Sequence, residues 1–263
     1  MKTGLIMEGG AMRGMFTAGV IDVLMEAGVS FDGAIGVSAG AVFGCNYKSR
    51  QIGRVIRYNK AYCQDPRYVS FRSLLKTGDI YGEQFCYHEL PDRLDPFDVK
   101  TYAENPMNFY VVCTDADTGK AVYHNCLKGD AEDIQWMRAS ASMPALSRFV
   151  KLDSYSLSDG GTADSIPVRF FESIGYDRNV VILTQPEGYV KKPNQLLPLL
   201  RILLWKNPAL IHALENRHER YNETLAYIRE QERSGNLLVI RPEAPLNIGA
   251  VERHPEELER VYQ

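Results

Sequence analysis

The N-terminal region contains two consecutive units in which a short apolar run precedes a segment with helical spacing of apolar residues. Residues 2–7 form the first run, and apolar residues recur at helical spacing through 13–27 until Gly28. Residues 31–37 form the second run, and a second helix is predicted from Ala39. Strands that alternate with helices favour an α/β fold with a parallel sheet, whose ligand sites lie at the carboxyl ends of the strands.

The rest of the chain carries weaker but readable patterns. The predicted elements are strands at 108–114, 121–124, 155–157, 180–184 and 237–241, a helix at 131–143, and mostly helix through 196–232. Residues 63–106 mix prolines, aromatic residues and charges, which predicts irregular structure with short helices. No internal repeat or linker interrupts residues 1–263. We therefore expect one domain, with a motif-bearing core to about residue 185 and a helical C-terminal part from about 190.

Composition excludes some classes of protein and leaves others open. The chain has 45% hydrophobic residues and a net charge of −3, so we expect a globular protein that does not bind nucleic acid. Five cysteines without metal-binding spacing favour a reducing compartment. The first apolar run is too short for a signal peptide, and nothing reaches the ~20 apolar residues of a membrane span. These features predict a cytoplasmic protein of unknown oligomeric state, with peripheral contact at the inner face of a membrane still open.

The clearest chemical signal is the GxSxG pentapeptide of residues 36–40, between a predicted strand and a predicted helix. A serine on such a sharp turn has a strained backbone, and glycine is needed at Gly36 and Gly40 to avoid collisions with the strand and the helix. The N–H groups of the following helix favour the negative charge of acyl transfer. Ser38 is therefore a candidate nucleophile, and a plain small-residue turn is the alternative.

A glycine-rich turn, residues 8–14, follows the first predicted strand. Its small residues leave backbone N–H groups uncovered, which suits an anion. A dinucleotide-binding loop would need glycine in place of Ala11 and an acidic residue after the second strand, and neither is present. An oxyanion hole formed by Gly9, Gly10 and Ala11 fits better, because the serine turn follows on the next strand. A plain tight turn is the third interpretation.

A serine needs a base, and the two candidates are a histidine and Asp159. The chain has five histidines (His88, His124, His212, His218, His254), none of which lies in a small-residue turn. Asp159 ends a predicted strand and precedes Gly160 and Gly161, so we expect it at the same sheet edge as Ser38. An Asp-Gly-Gly sequence alone is more often a simple turn. An α/β-hydrolase with a histidine base is disfavoured because only two strands precede Ser38.

In order and spacing, the three motifs together resemble the patatin-like phospholipases, especially the compact bacterial members. Gly9, Gly10, Arg13 and Gly14 match the oxyanion turn; Gly36, Ser38 and Gly40 match the nucleophile turn; Asp159, Gly160 and Gly161 match the aspartate motif. Residues 139–144 and 164–167 resemble the segments before and after the aspartate, and the match covers residues 1 to about 185. Ala11 departs from the family, which often has a third glycine there.

The resemblance implies a three-layer α/β fold with a mostly parallel sheet and helices on both faces. It also implies a lipid acyl hydrolase with a Ser38–Asp159 dyad, N–H groups of Gly10 and Ala11 as oxyanion donors, and no metal or cofactor. Burial would have to raise the pKa of Asp159 from its ordinary ~3.9 for a base near neutral pH. Arg13 is expected to anchor its own turn, with contact to a substrate phosphate as the alternative. A Ser-His-Asp esterase of small esters and a non-catalytic lipid- or protein-binding module are the alternatives.

Lipid as the substrate is supported by one further feature, the leucine-rich run of residues 196–205 after Lys191 and Lys192. An interfacial helix with a basic flank would have this composition. The leucines fall on all sides of a helical projection, however, which favours a buried helix. We therefore expect this run to belong to the core rather than to a lid.

Overall fold

An eight-stranded sheet forms the centre of the computed structural model, which describes residues 1–263. The strands are β1 (Lys2–Met7), β2 (Gly33–Val37), β3 (Asn108–Asp115), β4 (Ala121–Asn125), β5 (Val150–Leu152), β6 (Tyr155–Asp159), β7 (Tyr176–Ile182) and β8 (Leu237–Ile240). They lie in the order β5-β6-β3-β2-β1-β7-β8, with β4 also paired to β3. The adjacent strands β3, β2, β1, β7 and β8 are parallel, whereas β4, β5 and β6 pair in antiparallel fashion.

Eleven α-helices surround the sheet. They are α1 (Gly14–Glu26), α2 (Ala39–Lys48), α3 (Arg54–Tyr62), α4 (Phe71–Thr77), α5 (Val99–Glu104), α6 (Ala131–Ser140), α7 (Val168–Ser173), α8 (Leu197–Leu203), α9 (Pro208–Glu215), α10 (Arg217–Arg233) and α11 (Pro255–Tyr262). Two 3₁₀ turns, Ala11–Arg13 and Gly160–Thr162, and a π-helical segment, Phe85–Leu94, complete the regular structure. No helix combines the length and apolarity that crossing a bilayer requires.

The alternation of side chains along β1 explains the three layers. Leu5 and Met7 point to one face, where they pack with residues of α1, α2, α5 and α6. Ile6 points to the other face and packs with residues of α7 and α10. All three residues are fully buried, so both faces of the sheet are covered. The expected three-layer α/β fold with a mostly parallel sheet is confirmed.

Most predicted elements are present, with shifted ends. The predicted helix at 131–143 ends at Ser140, and the strand predicted at 180–184 is β7, which begins at Tyr176 and ends at Ile182. Four elements were not predicted: α3, β5, α7 and α11. In α11, burial of Leu258 and Val261 against the rest of the molecule stabilises a segment whose own sequence is mostly charged.

The interpretation of residues 196–205 as a core helix was wrong. Only Leu200 and Leu204 are buried, in a small cluster with residues of α9. Leu197 is partly buried against the same cluster. Five other large apolar side chains of the run are at least half exposed: Leu196, Leu199, Ile202, Leu203 and Trp205. The helix α8 has seven residues and packs chiefly against α9, so one side of it has no protein to cover it.

Candidate active site

Ser38 lies on a strained turn between β2 and α2. Its backbone has φ 54° and ψ −120°, a conformation that costs energy for a residue with a side chain. A Cβ atom on Gly36 would lie 2.2 Å from the carbonyl oxygen of Gly40, and one on Gly40 would lie 2.4 Å from that of Met7. Glycine is therefore required on both sides of Ser38, because the contacts are with backbone that cannot move away.

Asp159 is the hydrogen-bond partner of Ser38. The Oγ of Ser38 donates to Oδ2 of Asp159 at 2.6 Å, and the N–H of Gly161 donates to Oδ1 at 2.8 Å. A Cβ on Gly160 would lie 2.0 Å from the carbonyl oxygen of Val112, so this glycine lets the aspartate turn approach β3. Both oxygens of the carboxylate are held, which fixes its position against the serine.

The strand that carries Asp159 does not run parallel to the strand that precedes Ser38. β6 is antiparallel to β3. The last three residues of β6 pair with the last three residues of β3, and Asp159 lies opposite Cys113. On the other side of β3, Val37 pairs with Val112, so Ser38 lies one residue further along, at the level of Cys113. The shared edge predicted for Ser38 and Asp159 therefore arises from this register and not from parallel strands.

Burial changes the acidity of Asp159. The residue is 7% exposed, and loss of solvent raises the pKa of its carboxyl group above the ordinary value. The hydrogen bond from Ser38 and the positive charge of Arg217 oppose this rise and favour the carboxylate. The direction of the shift is the one that a general base needs to act nearer neutral pH.

The glycine-rich turn lies beside the serine. A Cβ on Gly9 would lie 3.1 Å from Cβ of Ser38, and the N–H groups of Gly9, Gly10 and Ala11 donate to no acceptor in the protein. Ala11 has φ 48°, in the left-handed region that glycine adopts without strain. This explains why a third glycine would suit the position. A Cβ on Gly14 would lie 2.8 Å from that of Ala39, so this glycine permits close packing of α1 on α2.

A buried glutamate that the sequence analysis missed holds this turn in place. Glu8 is 1% exposed and accepts hydrogen bonds from Tyr221 Oη and from the N–H of Thr184, both at 2.5 Å. Arg13 Nε donates to Thr184 Oγ1 at 3.4 Å, a contact that fits the anchoring role predicted for Arg13. Because Tyr221 lies 213 residues from Glu8 along the chain, no local pattern could have indicated the pair.

A second missed residue supports the nucleophile turn. Ser140, at the end of α6, accepts a hydrogen bond from the N–H of Ser38 at 2.9 Å and donates to the carbonyl oxygen of Val112 at 2.6 Å. It is fully buried. Its one hydroxyl thus ties the serine turn to β3. The small-residue segment that contains Ser140 was the available signal, although its contact was not predicted.

An apolar cavity of about 130 Å³ opens at Ser38. Of its 20 lining residues 17 are hydrophobic, and they include Ala11 and Met12 from the glycine-rich turn, Val42 from α2 and Met143 beyond α6. An apolar chain attached to a carbonyl group at Ser38 would be shielded from water in this space.

Other reactive side chains lie elsewhere. No histidine exchanges a hydrogen bond with Ser38 or Asp159, and His254 pairs with Glu252 on the surface. His124, Cys126 and Asp133 form a cluster whose ligand atoms lie within 4.8 Å of one another. Burial raises the pKa of the Cys126 thiol well above its usual range. The cluster includes neither Ser38 nor Asp159.

Comparison with known proteins identifies the family. The model of the patatin-like phospholipase family matches residues 5–171, more than half of the chain. The chain belongs to this family. The resemblance found in the sequence is thereby confirmed, and the match includes the glycine-rich turn, Ser38 and Asp159. A second family, a domain of unknown function named DUF6363, matches residues 207–263.

Known relatives align with different fractions of this patatin-like chain. An uncharacterized Escherichia coli protein, YjjU, is 27% identical over 94% of this chain and 70% of its own length. An uncharacterized NTE family protein of Mycobacterium bovis is 24% identical over 69% of this chain and 48% of its own length. Lysophospholipase nte1 of Aspergillus niger is 28% identical over 67% of this chain and 11% of its own length. Among solved structures, VipD of Legionella pneumophila aligns with a TM-score of 0.42 and 12% identity, over 99% of this chain and 65% of VipD.

Proposed function

We propose that this protein hydrolyses carboxylic esters of lipids through an acyl-enzyme, with Ser38 as nucleophile and Asp159 as general base. The observation that carries the proposal is the 2.6 Å hydrogen bond from Ser38 Oγ to Asp159 Oδ2, made by a serine on a strained strand-to-helix turn. A serine hydroxyl becomes nucleophilic when a positioned base accepts its proton. Asp159 is the one titratable side chain that contacts Ser38 Oγ.

The mechanism follows from this arrangement. Ser38 Oγ attacks the ester carbonyl carbon while its proton passes to Asp159, and the N–H groups of Gly10 and Ala11 donate to the oxyanion. Asp159 then returns the proton to the leaving alcohol oxygen as the C–O bond breaks. In the second half, water loses a proton to Asp159 and attacks the carbonyl carbon of the acyl-enzyme. As the C–O bond to Ser38 breaks, Asp159 returns this proton to Ser38 Oγ, and the carboxylic acid is released. Each step uses side chains and backbone of this chain.

Lipid as the substrate class rests on family and on shape. The family model is that of patatin-like phospholipases, and the fungal relatives are named lysophospholipases, so lipid ester hydrolysis is the activity that membership supports. The cavity beside Ser38 is lined almost wholly by hydrophobic residues. Because an acyl chain gains free energy by leaving water for such a space, long-chain esters fit the site better than polar ones.

Hydrolysis of a p-nitrophenyl ester series and a phospholipid panel by the parent protein, Ser38→Ala and Asp159→Asn tests the proposal. We expect loss of activity in both variants by at least about a thousandfold, as for removal of a nucleophile or its base in a serine hydrolase. A fluorophosphonate probe should label the parent and not Ser38→Ala. Full activity of folded Asp159→Asn would refute the assignment of the base.

Two other functions remain as alternatives. A Ser-His-Asp esterase would lose activity when His212, His218 or His254 is replaced, whereas a dyad enzyme tolerates each change. A non-catalytic binding module would show no fluorophosphonate labelling of the parent protein. The absence of any histidine contact to Ser38 or Asp159 favours the dyad over the first alternative.

The exposed apolar side chains of residues 196–205 support peripheral contact with a membrane. Ile202 and Trp205 are 70% and 69% exposed, and Arg201 and Lys206 lie beside them. Apolar side chains flanked by basic residues bind the boundary of an anionic lipid surface. We expect Ile202→Ser to weaken sedimentation with phosphatidylcholine–phosphatidylserine vesicles several-fold, whereas the matched control Val23→Ser, at a 62% exposed site on α1, does not. Equal binding of both variants would argue against this contact.

We also propose that the chain is one domain. β8 adds to the same sheet as β7, and α11 packs against α1 and α3. These contacts support a fold that the C-terminal residues complete, rather than a separate C-terminal domain. Limited proteolysis between β7 and β8 should not release a stable N-terminal fragment. A cytoplasmic location stays a prediction from the sequence.

A further inference from the structure

A second cavity, of about 490 Å³, lies between the segment of residues 189–195 and the helices α9 and α10. It differs in chemistry from the cavity at Ser38, since only three of its ten lining residues are hydrophobic. Four of the others carry basic side chains: Lys191, Lys192, Arg217 and His218. All ten lie beyond residue 171, outside the part of the chain matched by the patatin-like model.

Two of these basic side chains, Lys191 and Arg217, form no ion pair with a carboxylate. Arg217 makes one side-chain hydrogen bond, a contact of 3.5 Å from Nε to Ser165 Oγ. Lys191 Nζ lies 4.7 Å from the centre of the Tyr221 ring and forms no ion pair. The nearby carboxylates have other partners, because Glu8 binds Tyr221 and Thr184, and Glu215 pairs with Arg201. Neither cation therefore forms a close ion pair. Carboxylates act on them only at longer range, since Glu8 raises the pKa of Lys191 and Arg217 lowers that of Asp159.

The protein holds Lys191 in place although the arginines near it are also positively charged. Asn222 of α10 accepts from the N–H of Lys191 at 2.8 Å and donates to its carbonyl oxygen at 3.0 Å. Burial, with the neighbouring charges of Arg217 and Arg13, lowers the pKa of Lys191 to about 8. A lysine that is partly removed from water beside two arginines is stabilised by a bound anion. The backbone clamp thus positions the side chain for a ligand.

The cavity is adjacent to the proposed dyad. Arg217 Nη2 lies 3.0 Å from the position of a Cβ on Gly161, the residue whose N–H holds Asp159. The guanidinium is also close enough to lower the pKa of Asp159. On the far side, Arg13 of the glycine-rich turn acts on Lys191. A ligand in the second cavity would therefore be within reach of an ester placed at Ser38.

We infer that this cavity is a phosphate-binding subsite, formed by Lys191 and Arg217, which receives the phosphate of a glycerophospholipid whose ester carbonyl lies at Ser38. Guanidinium and ammonium groups are the side chains that bind phosphate best, the first through paired hydrogen bonds and the second as a point charge. The apolar cavity then takes the acyl chain, and the basic cavity takes the headgroup. The inference rests on the proposed function and names its substrate as phosphate-bearing.

A pair of substrates that differ only in the phosphate group tests the subsite. The ratio of kcat/KM for a lysophosphatidylcholine to that for the monoacylglycerol of the same chain is measured in neutral detergent micelles. We expect Lys191→Gln and Arg217→Gln each to lower this ratio about tenfold, as loss of one charged contact to a ligand does. The matched control is Arg229→Gln, about 18 Å away on α10. An unchanged ratio in both variants would overturn the headgroup assignment.

Binding of inorganic phosphate separates the subsite from catalysis. In the Ser38→Ala background, phosphate should raise the Tm more than sodium chloride of equal ionic strength does, and Lys191→Gln and Arg217→Gln should abolish the difference. If the parent hydrolyses no lipid but phosphate binding shows this dependence, the proposed function fails and the anion site stands. If phosphate binds and the substrate ratio is unchanged, the site belongs to free phosphate. If phosphate stabilises the parent and both variants equally, the subsite itself is refuted.

Discussion

Ser38 and Asp159 are 121 residues apart in the chain, yet their side chains meet in a 2.6 Å hydrogen bond. They lie on opposite sides of β3 at the level of Cys113, one following the parallel strand β2 and the other ending the antiparallel strand β6. Because Ser140 and Gly161 fix the backbone and the carboxylate on the two sides, the contact is held before any substrate binds. Such preorganisation is what a general base requires.

The acidic limb of the pH–rate profile should report Asp159. The base must be ionised, so kcat/KM for a neutral short-chain ester falls as pH drops through the pKa of Asp159, which burial raises. The positive charge of Arg217 lowers this pKa. We therefore expect Arg217→Gln to move the limb to higher pH, and Arg229→Gln to leave it in place. A limb that stays unmoved in Arg217→Gln would show that another group controls it.

Replacing Asp159 with asparagine should stabilise the protein at neutral pH. A carboxyl group whose pKa is raised by folding stabilises the folded state below its unfolded pKa of about 3.9, and this contribution is lost as pH rises through the folded pKa. Asparagine avoids that loss, so we expect a higher Tm at pH 7, by about 2–4 °C for each kcal/mol, with the difference shrinking towards pH 4. Thermal unfolding of both proteins across this pH range measures it.

Asp32→Asn is a control for which we expect a change in Tm of the opposite sign. It is exposed, and hydrogen bonds from Thr3 lower its pKa. A carboxyl group whose pKa is lowered by folding stabilises the folded state at pH values above its unfolded pKa. This stabilisation is lost as the pH falls. Asp32→Asn should therefore lower the Tm at pH 7 rather than raise it. A stabilising Asp32→Asn together with a destabilising Asp159→Asn would contradict both assignments.

The hydroxyl of Ser140 should affect both stability and catalysis. In Ser140→Ala the buried N–H of Ser38 loses its acceptor, which costs about 1–3 kcal/mol and loosens the nucleophile turn. We expect a lower Tm and a lower kcat with little change in KM. Ser142→Ala is the control, because the hydroxyl of Ser142 donates to the carbonyl oxygen of Arg138 and does not touch the turn. Equal kcat values in the two variants would exclude a positioning role for Ser140.

Filling the apolar cavity should change the preferred chain length. Val42 lines this cavity from α2, one turn after Ser38. Val42→Phe would occupy space that a long acyl chain needs, so the ratio of kcat/KM for a p-nitrophenyl palmitate to that for the butyrate should fall about tenfold. Val23→Phe, which enlarges an exposed side chain on α1, is the matched control. A ratio that does not change would place the acyl chain elsewhere.

Local patterns were sufficient to predict the strand-to-helix turn at Ser38 and most of the sheet. A GxSxG sequence between an apolar run and a helical pattern predicts a sharp strand-to-helix turn, since the two glycines are needed where strand, serine and helix meet so closely. The same holds for the alternation of β1, α1 and β2. These features depend on contacts between residues that are close in the sequence, and the sequence records them directly.

Tertiary structure decided what depends on distant residues. Whether α8 is core or surface depends on what packs against it, and its leucines alone favoured the wrong answer. The antiparallel register of β6 likewise comes from pairing with β3 rather than from its own five residues.

The sequence by itself determined the family, the nucleophile candidate and the α/β class, because motifs and periodicity are local. The supporting contacts of Glu8 with Tyr221 and the basic cavity of Lys191 and Arg217 belong to the folded molecule only. Burial, charge repulsion and hydrogen bonding act between atoms that are near in space. Folding alone brings such atoms together, so the chemistry around Ser38 could be completed only from the tertiary structure.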